Sequence, residues 1–135
     1  MIYMLDTDIC IYAINRKDQA LLDRIRVCSR EDALCMSAVT FGELEYGAYK
    51  SSKVSTNLKA LAGFAAIFKV LPFGQRAAVE FGKVRSFLEK QGTPIGPLDT
   101  LIAAQALAEG AVLVTNNTRE FSRVPGLKLE NWAAI

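Results

Sequence analysis

The sequence contains no histidine. That absence excludes Ser-His-Asp and Cys-His nucleophile sites, His-based RNA transesterification and every zinc site with an imidazole ligand. Acid–base or metal chemistry in this chain must rest mainly on carboxylates. Cysteine is scarce too. Cys10, Cys28 and Cys35 are an odd set without CxxC spacing, which excludes a disulfide framework and predicts buried thiols in a reducing cytoplasm. No apolar run approaches the roughly 20 residues that span a bilayer. The opening Met1-Ile2-Tyr3-Met4-Leu5-Asp6 is too short and too uncharged for a signal peptide. Charge of either sign is nearly balanced: 16 basic and 14 acidic residues leave +2. A generic polyanion binder carries far more, so any nucleic-acid contact must come from a local basic face.

What is present is ordinary globular material. The 135 residues are 51% hydrophobic and 22% charged, enough for a single domain over 1–135 with one core. Residues 1–5 are apolar without alternation, as in a parallel strand covered on both faces. Helices are predicted over 9–15, with Asp8 as cap, and near 18–28. A buried strand at 34–38 precedes a helix opened by a Thr40–Glu43 capping box, with Leu44 and Ala48 on its inner face. A long helix near 56–69 leads to an extended piece at 70–73. Another helix covers 75–91 and stops at Gly92. The loop 93–97 enters a helix over 97–109 that begins on Pro97 and stops at Gly110. The clearest strand is 111–115, followed by a turn into a short helix. An edge strand at 127–129 ends under Trp132. Alternating strands and helices predict an α/β fold, a parallel sheet with helices on both sides.

In such folds the working crevice lies at the carboxyl ends of the strands. Asp6 follows the first strand, Glu43 stands just beyond the second, and Asn116 and Asn117 follow the strand at 111–115. Asp99 occupies the first turn of the helix entered from the Pro/Gly loop. Several carboxylates at one edge repel each other, and a divalent cation is the natural compensation. Magnesium suits a few carboxylates and several waters. Each residue also has a local explanation. Glu43 can complete the capping box, Asp99 can face a helix dipole, Asp8 can cap, and Asn117 can serve a turn. The joint placement of Asp6, Glu43 and Asp99, reached from distant sequence positions, favours a site. Basic residues are scattered, Arg16, Lys17, Arg24 and Arg26 among them. Lys50, Lys53 and Arg119 are the candidates for RNA contact.

These residues resemble the four motifs of PIN-domain endoribonucleases, specifically VapC-type toxins of toxin–antitoxin pairs, and the match runs nearly end to end. Met4-Leu5-Asp6-Thr7-Asp8-Ile9 is similar to the opening motif. The stretch from Ser37 through Glu43 to Gly47 is similar to the second. The stretch from Gly92 to Asp99, with Ile102-Ala103-Ala104, is similar to the third. Val114-Thr115-Asn116-Asn117-Thr118-Arg119-Glu120-Phe121 is similar to the fourth. The last two, with the ending from Val124 to Trp132, look most like enterobacterial-type members, some of which cut initiator tRNA in its anticodon loop.

The resemblance implies a three-layer α/β/α PIN-like fold with its acidic site at the strand ends. It implies Mg²⁺ or Mn²⁺ as cofactor, with Asp6, Asp99 and Glu43 as metal-holding residues. Asp6, Glu43, Asp99 and Asn117 are its catalytic set, and Thr7, Thr115, Asn116 and Glu120 are auxiliary. It further implies RNA hydrolysis by an activated water, a homodimer, a neighbouring VapB-type antitoxin that lays a segment over the site, and no membrane partner. Two positions depart from many relatives, which have Asn at Asp8 and Asp at Asn117. One metal between Asp6 and Asp99 is therefore expected rather than two. Asp6-Thr7-Asp8 also fits the D-x-D opening of haloacid-dehalogenase-type phosphotransferases, but no downstream lysine and paired acids follow. A PIN fold reduced to a binding or repressor module is the non-enzymatic alternative.

Overall fold

The computed structural model describes residues 1–16, 18–31 and 33–133, Arg16 by its backbone alone. Lys17, the Arg16 side chain and the last two residues lie outside the described residues. The elements run β1 (Tyr3–Leu5), α1 (Thr7–Arg16), α2 (Gln19–Arg30), β2 (Leu34–Ser37), α3 (Ala38–Tyr49), α4 (Val54–Ala65), β3 (Lys69–Leu71), α5 (Gln75–Lys90), α6 (Pro97–Glu109), β4 (Val112–Val114), α7 (Thr118–Phe121) and β5 (Lys128–Glu130). All strands are parallel, in the order β3-β2-β1-β4-β5. The expected α/β architecture is present.

The sheet is central because its inner strands are apolar on both faces. Leu5, Met36 and Val114 face one core with Ile9, Cys10 and Ala13 of α1 and Leu21 and Ile25 of α2. Met4, Cys35 and Leu113 face the other with Val84 and Leu88 of α5 and Ile102, Ala103 and Ala106 of α6. Alanines let α6 sit close to the sheet, so most of its residues are buried. Gly110 ends α6 at φ 65°, a left-handed turn that a side chain would strain. The fully buried Phe121 pins the short α7 to this second core.

Several boundaries differ from the sequence reading, each for a local reason. α1 starts directly after β1, and its cap is Asp6, not Asp8: Asp6 Oδ1 accepts the Ile9 N–H at 2.9 Å. β2 likewise runs straight into α3. The cap there is Ser37, whose hydroxyl accepts the Val39 N–H at 2.9 Å, so Thr40 and Glu43 form no capping box. The helix expected over 56–69 ends at Ala65. The extended piece after it is a strand of the sheet, β3, paired with β2 through Cys35–Lys69 to Ser37–Leu71. The final edge strand and the cover of Trp132, 5.4 Å from the Tyr3 ring, are as expected.

Candidate active site

β1, β2 and β4 end at one edge of the sheet, and each delivers a polar group as it stops. Asp6 leaves β1 and is 1% exposed. Its Oδ1 is held by the Ile9 N–H, and its Oδ2 accepts the Thr115 hydroxyl at 2.6 Å. Thr115 sits directly after β4 and also accepts the Asn117 N–H at 2.9 Å. One hydroxyl thus couples the Asp6 carboxylate to the turn that opens α7. Burial raises the Asp6 pKa to about 7 against the lowering action of these hydrogen bonds, and the charges of Asp8 and Asp99 raise it further.

Glu43 enters from the second turn of α3. Its Oε1 accepts the Thr7 hydroxyl at 2.5 Å, and Thr7 Oγ1 lies 3.2 Å from the Thr40 hydroxyl. Thr40 is buried and links α1 to α3 behind the carboxylate. Asp99 is set in the first turn of α6 by Pro97, whose ring pre-forms the helix start. Partial burial is the largest cause of its pKa rising to about 6, followed by the charges of Asp8, Glu43 and Glu120. From the fourth motif, Asn117 Nδ2 donates to Glu120 Oε2 at 2.9 Å and holds that carboxylate towards the cluster.

The result is a set of acids that feel each other: among the described residues, the charges acting on Asp6 and Asp99 are other carboxylates. Comparison with known proteins gives this geometry a context. Residues 3–127 match the PIN domain family. The tRNA(fMet)-specific endonuclease VapC of Shigella flexneri is 43% identical over 97% of this chain and 98% of its own. Ribonuclease VapC2 of Rickettsia felis is 41% identical over 98% of each chain. The chain belongs to the VapC group of PIN-domain ribonucleases. Among solved structures, VapBC2 of Rickettsia felis bound to a promoter DNA fragment superposes with a TM-score of 0.95 at 40% identity, covering 98% of this chain and 100% of that one. DNA-bound VapBC of Salmonella typhimurium gives 0.94 at 40% identity, covering 98% and 99%.

Within this VapC frame, the structure brings Asp6, Glu43 and Asp99 to one edge of the sheet, with Thr115 donating to Asp6 and Thr7 to Glu43. Two residues have partners that the sequence did not suggest. The Asn117 amide donates to Glu120, whose charge reaches Asp99. Asp8, read as a cap, is instead an exposed neighbour whose charge acts on both Asp6 and Asp99. The signal for both lay in the helical spacing: Asn117 and Glu120 are an i, i+3 pair, and Asp8 shares the first turn of the helix that Asp6 caps. Thr40, expected to open a capping box, is instead the buried neighbour of the Thr7 hydroxyl. Asn116 is half-buried in the same turn. Lys50, Lys53 and Arg119 are exposed; Lys50 caps the end of α3, and Lys53 stands at the start of α4.

A divalent cation, the cofactor type of PIN nucleases, fits this donor set. The donors are hard carboxylate oxygens, and mutual repulsion leaves them short of positive charge. Among the described residues no cluster of Asp, Glu or Cys side chains encloses an ion unaided.

Proposed function

We propose that this chain is the toxin of a type II toxin–antitoxin pair, an Mg²⁺-dependent endoribonuclease (Mn²⁺ substituting) that hydrolyses tRNA, with the anticodon loop of initiator tRNA as its target. The observation that carries the reading is the acid cluster at the strand ends, on which only other carboxylates act among the described residues, in a chain with no histidine. Asp6 and Asp99 would hold the cation, with Glu43 and Glu120 beside them. When bound, the cation neutralises phosphate charge and makes water more acidic. The chain's own residues do the rest. Thr115 and the α1 amide fix the Asp6 carboxylate, and Thr7 fixes Glu43 so that its free oxygen can orient a water and take its proton. Attack in line with the 3′-oxygen leaves a 5′-phosphate and a 3′-hydroxyl. Folded RNA exposes unstacked bases in its loops, which explains a loop target.

The partner is a VapB-type antitoxin, and the toxin acts as a homodimer. The Rickettsia and Salmonella structures are toxin–antitoxin complexes. An apolar groove starting at Glu43 runs between α1, α3 and α4, lined by Ile11, Ile14, Leu44, Ala48 and Leu61. It suits an antitoxin segment whose basic side chain pairs with the acids. RNA ends sequenced from cells expressing the chain, beside cells expressing Asp99→Asn, test the reading. A single dominant cut in a tRNA loop that vanishes in the variant and on antitoxin co-expression is expected. Identical ends in both cultures would contradict it.

A further inference from the structure

α3 buries Leu44 and Ala48 and leaves a different stripe open. Glu43, Tyr46 and Lys50 fall at i, i+3 and i+7, one side of the helix. Tyr46 is 66% exposed and has no place in either core. The Lys50 ammonium stands over its ring, 5.2 Å from the centroid. At roughly 1.5 Å of rise per residue, Tyr46 lies about 4–5 Å along the axis from Glu43, and Lys50 about 10 Å. Two glycines flank the stripe. Gly42 is one turn before Tyr46 and Gly47 one turn after Glu43, and a Cβ at either position would meet nothing within 4 Å. Among the described residues, packing gives no reason for glycine there, although interior glycines weaken a helix. Gly42 leaves the ground beside Tyr46 clear, and Gly47 lines the groove that begins at Glu43.

We propose that Tyr46 and Lys50 form the landing surface for the nucleotide next to the scissile phosphate, with its base stacked on Tyr46 and its phosphate paired with Lys50. The inference rests on the ribonuclease reading above. An aromatic ring one helical turn from a site acid, with an ammonium over it, sets a stacking surface and a positive charge side by side, as base and phosphate are along a single strand. Stacking of this kind tolerates any base and requires it to be unpaired. It therefore selects loop nucleotides near the acids without reading their identity. The cation also offsets repulsion between RNA phosphates and the acid cluster at the point where the strand enters.

The test is steady-state cleavage of an initiator tRNA transcript by Tyr46→Ala, Tyr46→Gln, Tyr46→Phe and Lys50→Ala, with dimer mass and antitoxin affinity measured on the same proteins. Tyr46→Ala and Tyr46→Gln should each raise KM roughly tenfold and leave kcat nearly unchanged, while Tyr46→Phe stays near wild type. Lys50→Ala should reduce the salt dependence of log KM by about 0.7, one phosphate contact on a single strand. Unchanged KM in both non-aromatic variants would overturn the proposal. So would a KM rise that tracks dissociation of the dimer, or an effect confined to antitoxin affinity. A wild-type protein that cleaves no RNA fails the ribonuclease reading itself, whereas a cleaving wild type indifferent to Tyr46 fails only the landing surface.

Discussion

Both oxygens of Asp6 are engaged by the Ile9 N–H and the Thr115 hydroxyl, yet burial still holds its pKa near 7. A carboxyl raised in the folded state binds a proton that the unfolded chain, near 3.8, has already released. Its contribution to stability is thus complete below about pH 4 and is lost as pH rises through 7, a swing on the order of 4 kcal/mol. Half-buried Asp99 adds a smaller effect of the same sign. Thermal melts in chelator should therefore show stability rising from pH 8 to pH 5. Asp6→Asn should melt higher than wild type at pH 8 and lose most of the pH dependence. Adding Mn²⁺ should stabilise wild type and leave Asp6→Asn unmoved. A variant less stable than wild type at pH 8 would show that the buried charge is not the cost argued here. The fourth motif gives a second expectation. Glu120→Gln should reduce kcat at least tenfold, and Asn117→Ala by less, because the amide acts through the carboxylate. The reverse ranking, read from initial rates, would return Asn117 to the role its sequence position suggested. Asp6, Glu43 and Asp99 were legible because each follows an apolar segment or a Pro/Gly entry. The roles of Asn117 and Asp8 were not, because both depend on which residue caps the adjoining helix.

Helix starts are where the structure departs most from the pattern of residue types. Ser37 and Thr40 are both good caps by type, and only the lack of any loop between β2 and α3 decides for Ser37. Ser37→Ala should cost about 1 kcal/mol in denaturant unfolding. Thr40→Ser, which keeps the hydroxyl beside Thr7, should leave activity close to wild type. Equal tolerance of alanine at Ser37 would contradict the cap assignment. β3 was read only as an extended piece because its side chains are largely exposed and Pro72 follows at once. Its identity as a strand comes from its partner β2, information the segment does not carry. α6, by contrast, announces both ends through Pro97 and Gly110, and the structure keeps them. α7 is too short to stand alone and depends on Phe121. Phe121→Ala should destabilise the fold by about 3–5 kcal/mol and release Glu120 with it.

At the scale of the whole molecule, the parallel sheet turns scattered sequence positions into one site. β1, β2 and β4 all point the same way, so the residues leaving them meet at a single edge beside the start of α6. Strand–helix alternation and apolar strands made that architecture legible, whereas the strand order was not written in any one segment. A net charge of +2 means that attraction for RNA is local, not global. The same edge attracts cations and repels RNA phosphates, so substrate approach depends on positive charge brought to it. The central claim, acid-only hydrolysis dependent on a divalent ion, is tested most directly by the chemistry of the cut ends. A defined initiator tRNA should be cleaved in Mg²⁺ or Mn²⁺ to a 5′-phosphate and a 3′-hydroxyl, with no cleavage in excess chelator or by Asp99→Asn. Ends bearing 2′,3′-cyclic phosphate, or cleavage that persists in chelator, would contradict it.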